Sequence, residues 1–175
     1  MVGGELCIDT IWCNKYSNKT LISYNDGASF MELAPIPALL KGHCAVLLDN
    51  TTLMVIGGYK FPISLSDTYF FDLDTNTWSF GPSLMDERSY HTCNLITDCE
   101  GSQHVVVVGG TGTGFGDYRK SVEIYDVSVG TWSTGKYDLN VRMFDSPQFF
   151  QFFKEMTTHM RSMSMDQPIS MTLLS

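Results

Sequence analysis

Basic residues are scarce in this chain of 175 residues: 11 Lys and Arg stand against 19 Asp and Glu, a formal net charge of -8. Nucleic-acid binding needs clustered Lys and Arg against phosphates, so none is expected. A polybasic membrane-surface role is disfavoured for the same reason. No stretch reaches the roughly 18 apolar residues of a spanning helix, and the opening MVGGELCIDT lacks the basic n-region of a secretory signal. The four histidines form no HxH or HExxH pair and no Cys/His cluster at zinc spacing, so no metal site is expected. Charged residues of both signs make up only 17% of the chain, against 43% hydrophobic and 13% aromatic. That balance supports a packed core over disorder. Glycine and tryptophan are missing from the C-terminal stretch: all 15 glycines lie by Gly135 and all three tryptophans by Trp132.

What is present repeats. Gly57-Gly58, closing Leu53-Met54-Val55-Ile56, returns as Gly109-Gly110 after Val105 to Val108. Trp78 in Asn76-Thr77-Trp78 returns as Trp132 in Gly130-Thr131-Trp132, with Phe71 and Tyr125 each seven residues earlier. His43-Cys44 matches His91-Thr92-Cys93 at a spacing of about 48, and Phe30 lies at that same spacing before Trp78. SYNDGASFMELAPIP is thus a degenerate earlier copy, with Gly3-Gly4 the remnant of its own glycine pair.

A period near 50 residues with four short β-rich runs is a propeller-blade signature. The better copy predicts strands over Cys44–Leu48, Leu53–Gly58, Thr68–Leu73 and Thr77–Phe80. The next predicts Thr92–Ile96, Val105–Gly110, Val122–Val127 and Thr131–Thr134, with Asp- and Asn-rich turns between strands.

The double glycine, the spaced Tyr or Phe and the following Trp resemble the Kelch motif over roughly Tyr24 to Gly135. The resemblance implies an all-β fold: an incomplete Kelch-type β-propeller of about three blades of four antiparallel strands, with an irregular or helical C-terminal tail. Residues 1–42 are expected to form a degenerate partial blade, 43–90 and 91–141 two Kelch blades, and 142–175 a tail outside the repeat. Gly57, Gly58, Phe71, Trp78, Gly109, Gly110, Tyr125 and Trp132 are expected to build the scaffold. The glycines permit close backbone approach and the tryptophans pack between blades. At ~50 residues per blade, 175 residues make about three and a half blades, whereas closed propellers have four to eight.

Within the tail, Phe149, Phe152 or Phe153, Met156, Met160 and Met163 keep helical spacing, so Pro147 to Met163 is a helix candidate. Three readings stay open for this segment: a loosely held terminus, a helix docked on the edge of the last blade, or a truncated gene product.

Catalytic signals are thin. VVVVGGTGTGFGDYRK follows a strand and looks like a phosphate loop, but it lacks Walker spacing and G-x-G-x-x-G. A loop between second and third strands is the better reading. No nucleophile elbow or Ser-His-Asp order stands out, and no cofactor is expected. The resemblance implies a non-enzymatic interaction module that holds a partner protein or peptide through blade loops. Arg88, Ser89 and Tyr90 precede the first strand of the last full blade, and Asp117, Tyr118 and Arg119 lie in a loop between strands. These are the partner-binding candidates, with Lys60 and Phe61 behind them. Arg suits acidic peptide motifs and Tyr suits interface anchoring; the plainer reading of Arg88 is a solvated residue leading a strand. The alternative function is a fragment of a galactose-oxidase-like Kelch enzyme whose active site lies in other blades. Self-association through open blade edges is a further expectation.

The odd count of five cysteines leaves at least one without a partner in the chain. Cys93 with Cys99, flanking a hairpin, and Cys7 with Cys13 are the candidate pairs, and buried free thiols are the default. The sequons Asn18-Lys19-Thr20 and Asn50-Thr51-Thr52 are compatible with an extracellular location, and a cytoplasmic one is the default without a signal.

Overall fold

The computed structural model describes residues 2–6, 15–23 and 28–138, and every described element is a β-strand. Eleven strands make three antiparallel sheets. The first joins β1 (Val2–Leu6), β2 (Lys15–Ile22) and β3 (Met31–Leu33) in the order β1-β2-β3. The second joins β4 (Cys44–Leu47), β5 (Thr52–Lys60), β6 (Ile63–Asp72) and β7 (Thr77–Phe80) in chain order. The third joins β8 (Thr92–Thr97), β9 (Gln103–Val108), β10 (Ser121–Asp126) and β11 (Thr131–Asp138), again in chain order. Gly3-Gly4 falls within β1. The helix candidate at 147–163 and the cysteines at 7 and 13 lie outside the described residues.

The strands form where β-branched and aromatic residues concentrate. His104 to Val108 of β9 are buried on both faces, as in a strand with a sheet packed on either side. Four turns share one device. Asp49, Asp72, Asp98 and Asp126 each accept backbone N–H groups from residues two to four positions on, closing Asx turns. All four carboxyls are held below the ordinary carboxylate range. The largest cause is a backbone N–H for Asp49 and Asp72, the His104 side chain for Asp98, and the Ser128 hydroxyl for Asp126.

The second copy differs from expectation beyond the glycine pair. β5 runs on through Gly57-Gly58 to Lys60, and β6 begins at Ile63 instead of Thr68, because Lys60 pairs with Ile63 across a tight turn at Phe61-Pro62. A bulge between Ile56 and Gly58 absorbs the positive φ of both glycines. In the third sheet the strand stops at Val108, and Gly109-Gly110 open a long loop.

Two apolar clusters lie between the sheets. Ile36 and Leu40 of the linker after the first sheet are buried against Val55 and Tyr69 of the second, with Trp78 packed on them. Leu84, Met54, Ile56, Val105, Val107 and Tyr125 are buried between the second and third, with Phe70 and Trp132 alongside. Alternate residues of β5 serve opposite clusters, Val55 one and Met54 and Ile56 the other, as period-2 side-chain alternation requires. Both tryptophans also tie themselves to the preceding linker. The Trp78 Nε1–H donates to the Ala34 carbonyl at 2.8 Å and the Trp132 Nε1–H to the Pro82 carbonyl at 2.9 Å.

The cysteine expectation is corrected. Cys93 is bonded to Cys44, joining β8 to β4, the first strands of neighbouring sheets, with a Cα–Cα distance of 5.9 Å. Cys93 and Cys99 do not flank a hairpin. Cys99 sits exposed in the turn beyond the far end of β8, roughly 15–20 Å along the same arm by strand rise, too far for a disulfide.

Candidate interaction face

Because the strands alternate in direction, the connections sort to two ends. The turns at 48–51, 73–76, 98–102 and 127–130 lie at one end. The tight turn after Lys60, the 81–91 linker and the 109–120 loop lie at the other. The first end carries Asp49, Asp72, Asp74, Asp98, Glu100 and Asp126, with no Lys or Arg in those turns or at the adjoining strand ends. Within residues 41–135, all five Lys and Arg (Lys41, Lys60, Arg88, Arg119 and Lys120) fall at the second end.

Hydrogen bonds lace the three segments of the second end together. The buried Ser64 hydroxyl bonds the Ser89 hydroxyl at 2.9 Å and donates to the carbonyls of Thr111 and Gly112. The Ser64 N–H donates to the Thr113 hydroxyl, and Ser89 and Thr111 form a two-way backbone bridge. The loop closes on itself through Gly112 N–H to Asp117 carbonyl and Arg119 N–H to Gly110 carbonyl. Around this lacing stand exposed aromatics, one or two per segment: Phe61 (72% exposed), Tyr90 (55%), Phe115, fully exposed, and Tyr118 (39%).

The ionic groups here are arranged in two layers. Arg119 is partly buried and holds Glu87 at 2.6 Å and Asp117 at 3.5 Å, its Nε–H also donating to the Glu87 carbonyl. Beneath it Arg88 is fully buried. It pairs with the equally buried Glu123 at 2.5 Å and donates to the carbonyls of Gly109 and Ser121 and to the Ser121 hydroxyl. Glu123 also accepts the N–H groups of Met85 and Asp86, so it fastens β10 to the 81–91 linker. Next to it His91 is buried with neither ring nitrogen hydrogen-bonded, and its pKa is pushed down to about 3, by burial first and then by Arg88 and His43.

The six candidate side chains therefore separate. Tyr90 and Tyr118 are exposed, and Asp117 and Arg119 are partly so. Arg88 and Ser89 are corrected. Both are buried, because the 81–91 linker wedges between two sheets, where Glu123 and Ser64 take up their polar groups. Sequence reasoning missed Glu123, Ser64 and Phe115. A signal for Glu123 existed: at the repeat spacing, Leu40 becomes Arg88 while Tyr69 becomes Glu123. Two opposite charges entering matched positions together point to a buried pair.

Close backbone approach explains the glycine pairs. A Cβ at Gly57 would lie 2.6 Å from the Arg88 carbonyl oxygen, and one at Gly110 2.6 Å from that of Ser89. Residues 41–85 match the model of the Kelch motif. That stretch is a Kelch motif.

Two F-box/kelch-repeat proteins of Arabidopsis thaliana are similar to this chain. One is 32% identical over 111 residues, covering 61% of this chain and 28% of that protein. The other is 32% identical over 92 residues, covering 51% of this chain and 18% of that protein. The chain thus spans less than a third of the length of either relative. Among solved structures, YjhT superposes with a TM-score of 0.53 at 14% identity, over 69% of this chain and 44% of that one, a likeness of fold. The all-strand fold is that of an incomplete Kelch-type propeller.

Proposed function

We propose that this chain is a non-enzymatic protein-interaction module that holds a partner protein through the loop end of its second and third blades. The observation that carries this reading is the placement of Phe61, Tyr90, Phe115 and Tyr118, exposed on three segments that hydrogen bonds fasten into one surface. Exposed aromatics on a rigid platform lose little conformational entropy on binding and are the residue type that dominates interface energies. The two arginines of that end serve cohesion: Arg119 is occupied by Glu87 and Asp117, and Arg88 by Glu123. Similarity to proteins named F-box/kelch-repeat agrees with a partner-binding role and leaves the partner unspecified.

The test is affinity purification with quantitative mass spectrometry, comparing wild type with Phe115→Ser plus Tyr118→Ala, and with Asp74→Asn at the opposite end. The reading expects partners that drop at least about tenfold in the first variant and are unchanged in the second. Partners unaffected by the aromatic substitutions would refute it.

A further inference from the structure

The third sheet has two apolar faces, and the other described sheets account for one of them. Val105, Val107 and Tyr125 belong to the cluster shared with the second sheet. Their neighbours Ile96, Val106, Val108, Val122 and Ile124 fall on the opposite face, because side chains alternate along each strand and these positions pair across β8, β9 and β10. None of these five enters either apolar cluster, yet each is less than a tenth exposed. Some part of this single chain shields a face on which neither of the other sheets packs.

The repeat shows what such a face requires. At the matching positions of the second sheet, Leu48, Met54, Ile56 and Phe70 receive the third sheet together with Leu84 of the 81–91 linker. β7 ends at Phe80, and the chain then carries Leu84 onto that face. β11 ends at Asp138, paired with Ser121 at the same end of its sheet, so the repeat directs the chain leaving it to the same side. The 37 residues from Leu139 to Ser175 are fewer than a blade of ~50 and hold neither glycine nor tryptophan. They do hold Phe149, Phe152, Phe153, Met156, Met160 and Met163 at helical spacing, with Gln151 and Thr158 on the other side of that spacing. From Asp138 to Phe149 the chain can span roughly 35 Å. β9 lies only two strand spacings, about 10 Å, from β11.

The other stretches outside the described residues are too short to serve. Residues 7–14 and 24–27 join strands of the first sheet, whose linker packs on the opposite face of the second sheet. An eight-residue connection reaches out and back by at most about 15 Å, against about 20 Å for two sheet spacings.

We infer that residues 147–163 dock their Phe and Met stripe on the outer face of the third sheet, in the place a further blade would occupy. The segment closes that side of the incomplete propeller with the chain's own residues and withholds the face from a second copy. The inference is independent of the interaction-face reading.

The test places the photoreactive residue benzoylphenylalanine at Phe152 of the full chain and irradiates a mixture of isotope-labelled and unlabelled protein. Mass spectrometry then maps the cross-links. Cross-links within one chain to Ile96, Val106, Ile124 or their neighbours on that face are expected. Cross-links to the first or second sheet, to a second copy (a labelled–unlabelled pair), or to no part of the chain would overturn the inference. A second measurement compares two pairs of substitutions in the full chain. Phe152→Asp plus Met156→Asp should uncover the face, lower Tm by at least about 5 °C and raise the fluorescence of the apolar dye ANS several-fold. Gln151→Asp plus Thr158→Asp should change neither. Equal shifts from both pairs, or none from the first, would contradict the docking.

Discussion

At the junction of the first and second blades, Leu40 and Tyr69 are buried together with Ile36 and Val55. At the next junction the matching positions hold Arg88 and Glu123, equally buried, above Leu84 and Val107. The frame is otherwise shared, since each outer-strand tryptophan donates to the carbonyl at the same place in the linker. The polar version answers a local need. Met85 brings an N–H that Glu123 accepts, while the matching residue of the first junction is Pro37, which has none. Among the described residues, the second junction also carries a disulfide, Cys44–Cys93. One repeat therefore supports two chemistries: an apolar junction that only packs, and an ionic one that also fixes the backbone leading into the proposed interaction face.

The sharpest break in that comparison removes one partner of the buried pair. Glu123→Ala leaves Arg88 charged and buried with only Asp86, 3.9 Å away, to face it, and should cost about 3–5 kcal/mol of unfolding free energy in urea titration. Leu40→Ala at the apolar junction should cost about 2–5 kcal/mol, through a cavity instead of a charge. The two are told apart by compensation: Arg88→Leu should rescue Glu123→Ala in part, whereas no second substitution of a charge touches Leu40→Ala. Next in size is Cys44→Ser, which opens a cross-link spanning 49 residues and should cost up to about 4 kcal/mol. Wild type should lose a similar amount in strong reductant, and the variant should not respond.

A smaller effect comes through His91. Its folded pKa is depressed from 6.5 to about 3, so the unfolded chain takes up the proton first. Its stability contribution is complete above pH 6.5 and should fall by about 1.4 kcal/mol per unit as pH drops toward 3. The depressed aspartates titrate in the folded state below 3.8, so their loss comes chiefly at the acid end of the range. Urea midpoints between pH 7.5 and 5 should slope downward with acid in wild type and flatten in His91→Gln. The smallest effect tests what the junctions share. Trp78→Phe and Trp132→Phe each lose one indole N–H bond and should cost about 1–2 kcal/mol apiece, the same within error.

The fold was legible because its signals are local. The Val105–Val108 run, the Asp-led turns and the Trp spacing each declare themselves within a few residues, and the strands fell close to where those signals put them. β5 and β6 ran longer than expected because Lys60 and Ile63 pair across a turn whose tightness depends on geometry, not composition. The face was only half legible. Tyr90, Asp117, Tyr118 and Arg119 were named from their loops, but a lone Arg88 in a linker looks solvated. Its fate is decided by Glu123, 35 residues away on the next blade. The Cys44–Cys93 bond was hidden for the same reason, since it crosses blades and the nearer Cys99 offered a shorter but geometrically empty pairing.

The central claim is that Arg88 and Glu123 act as one internal strut, so that the surface left for a partner is the aromatic rim around them. A double-mutant cycle with Arg88→Leu and Glu123→Tyr, which transplants the apolar pair of the neighbouring junction, tests this most directly. The account predicts a double variant more stable than either single variant, with a coupling of about 2 kcal/mol or more. Costs that simply add, to within about 0.5 kcal/mol, would contradict it.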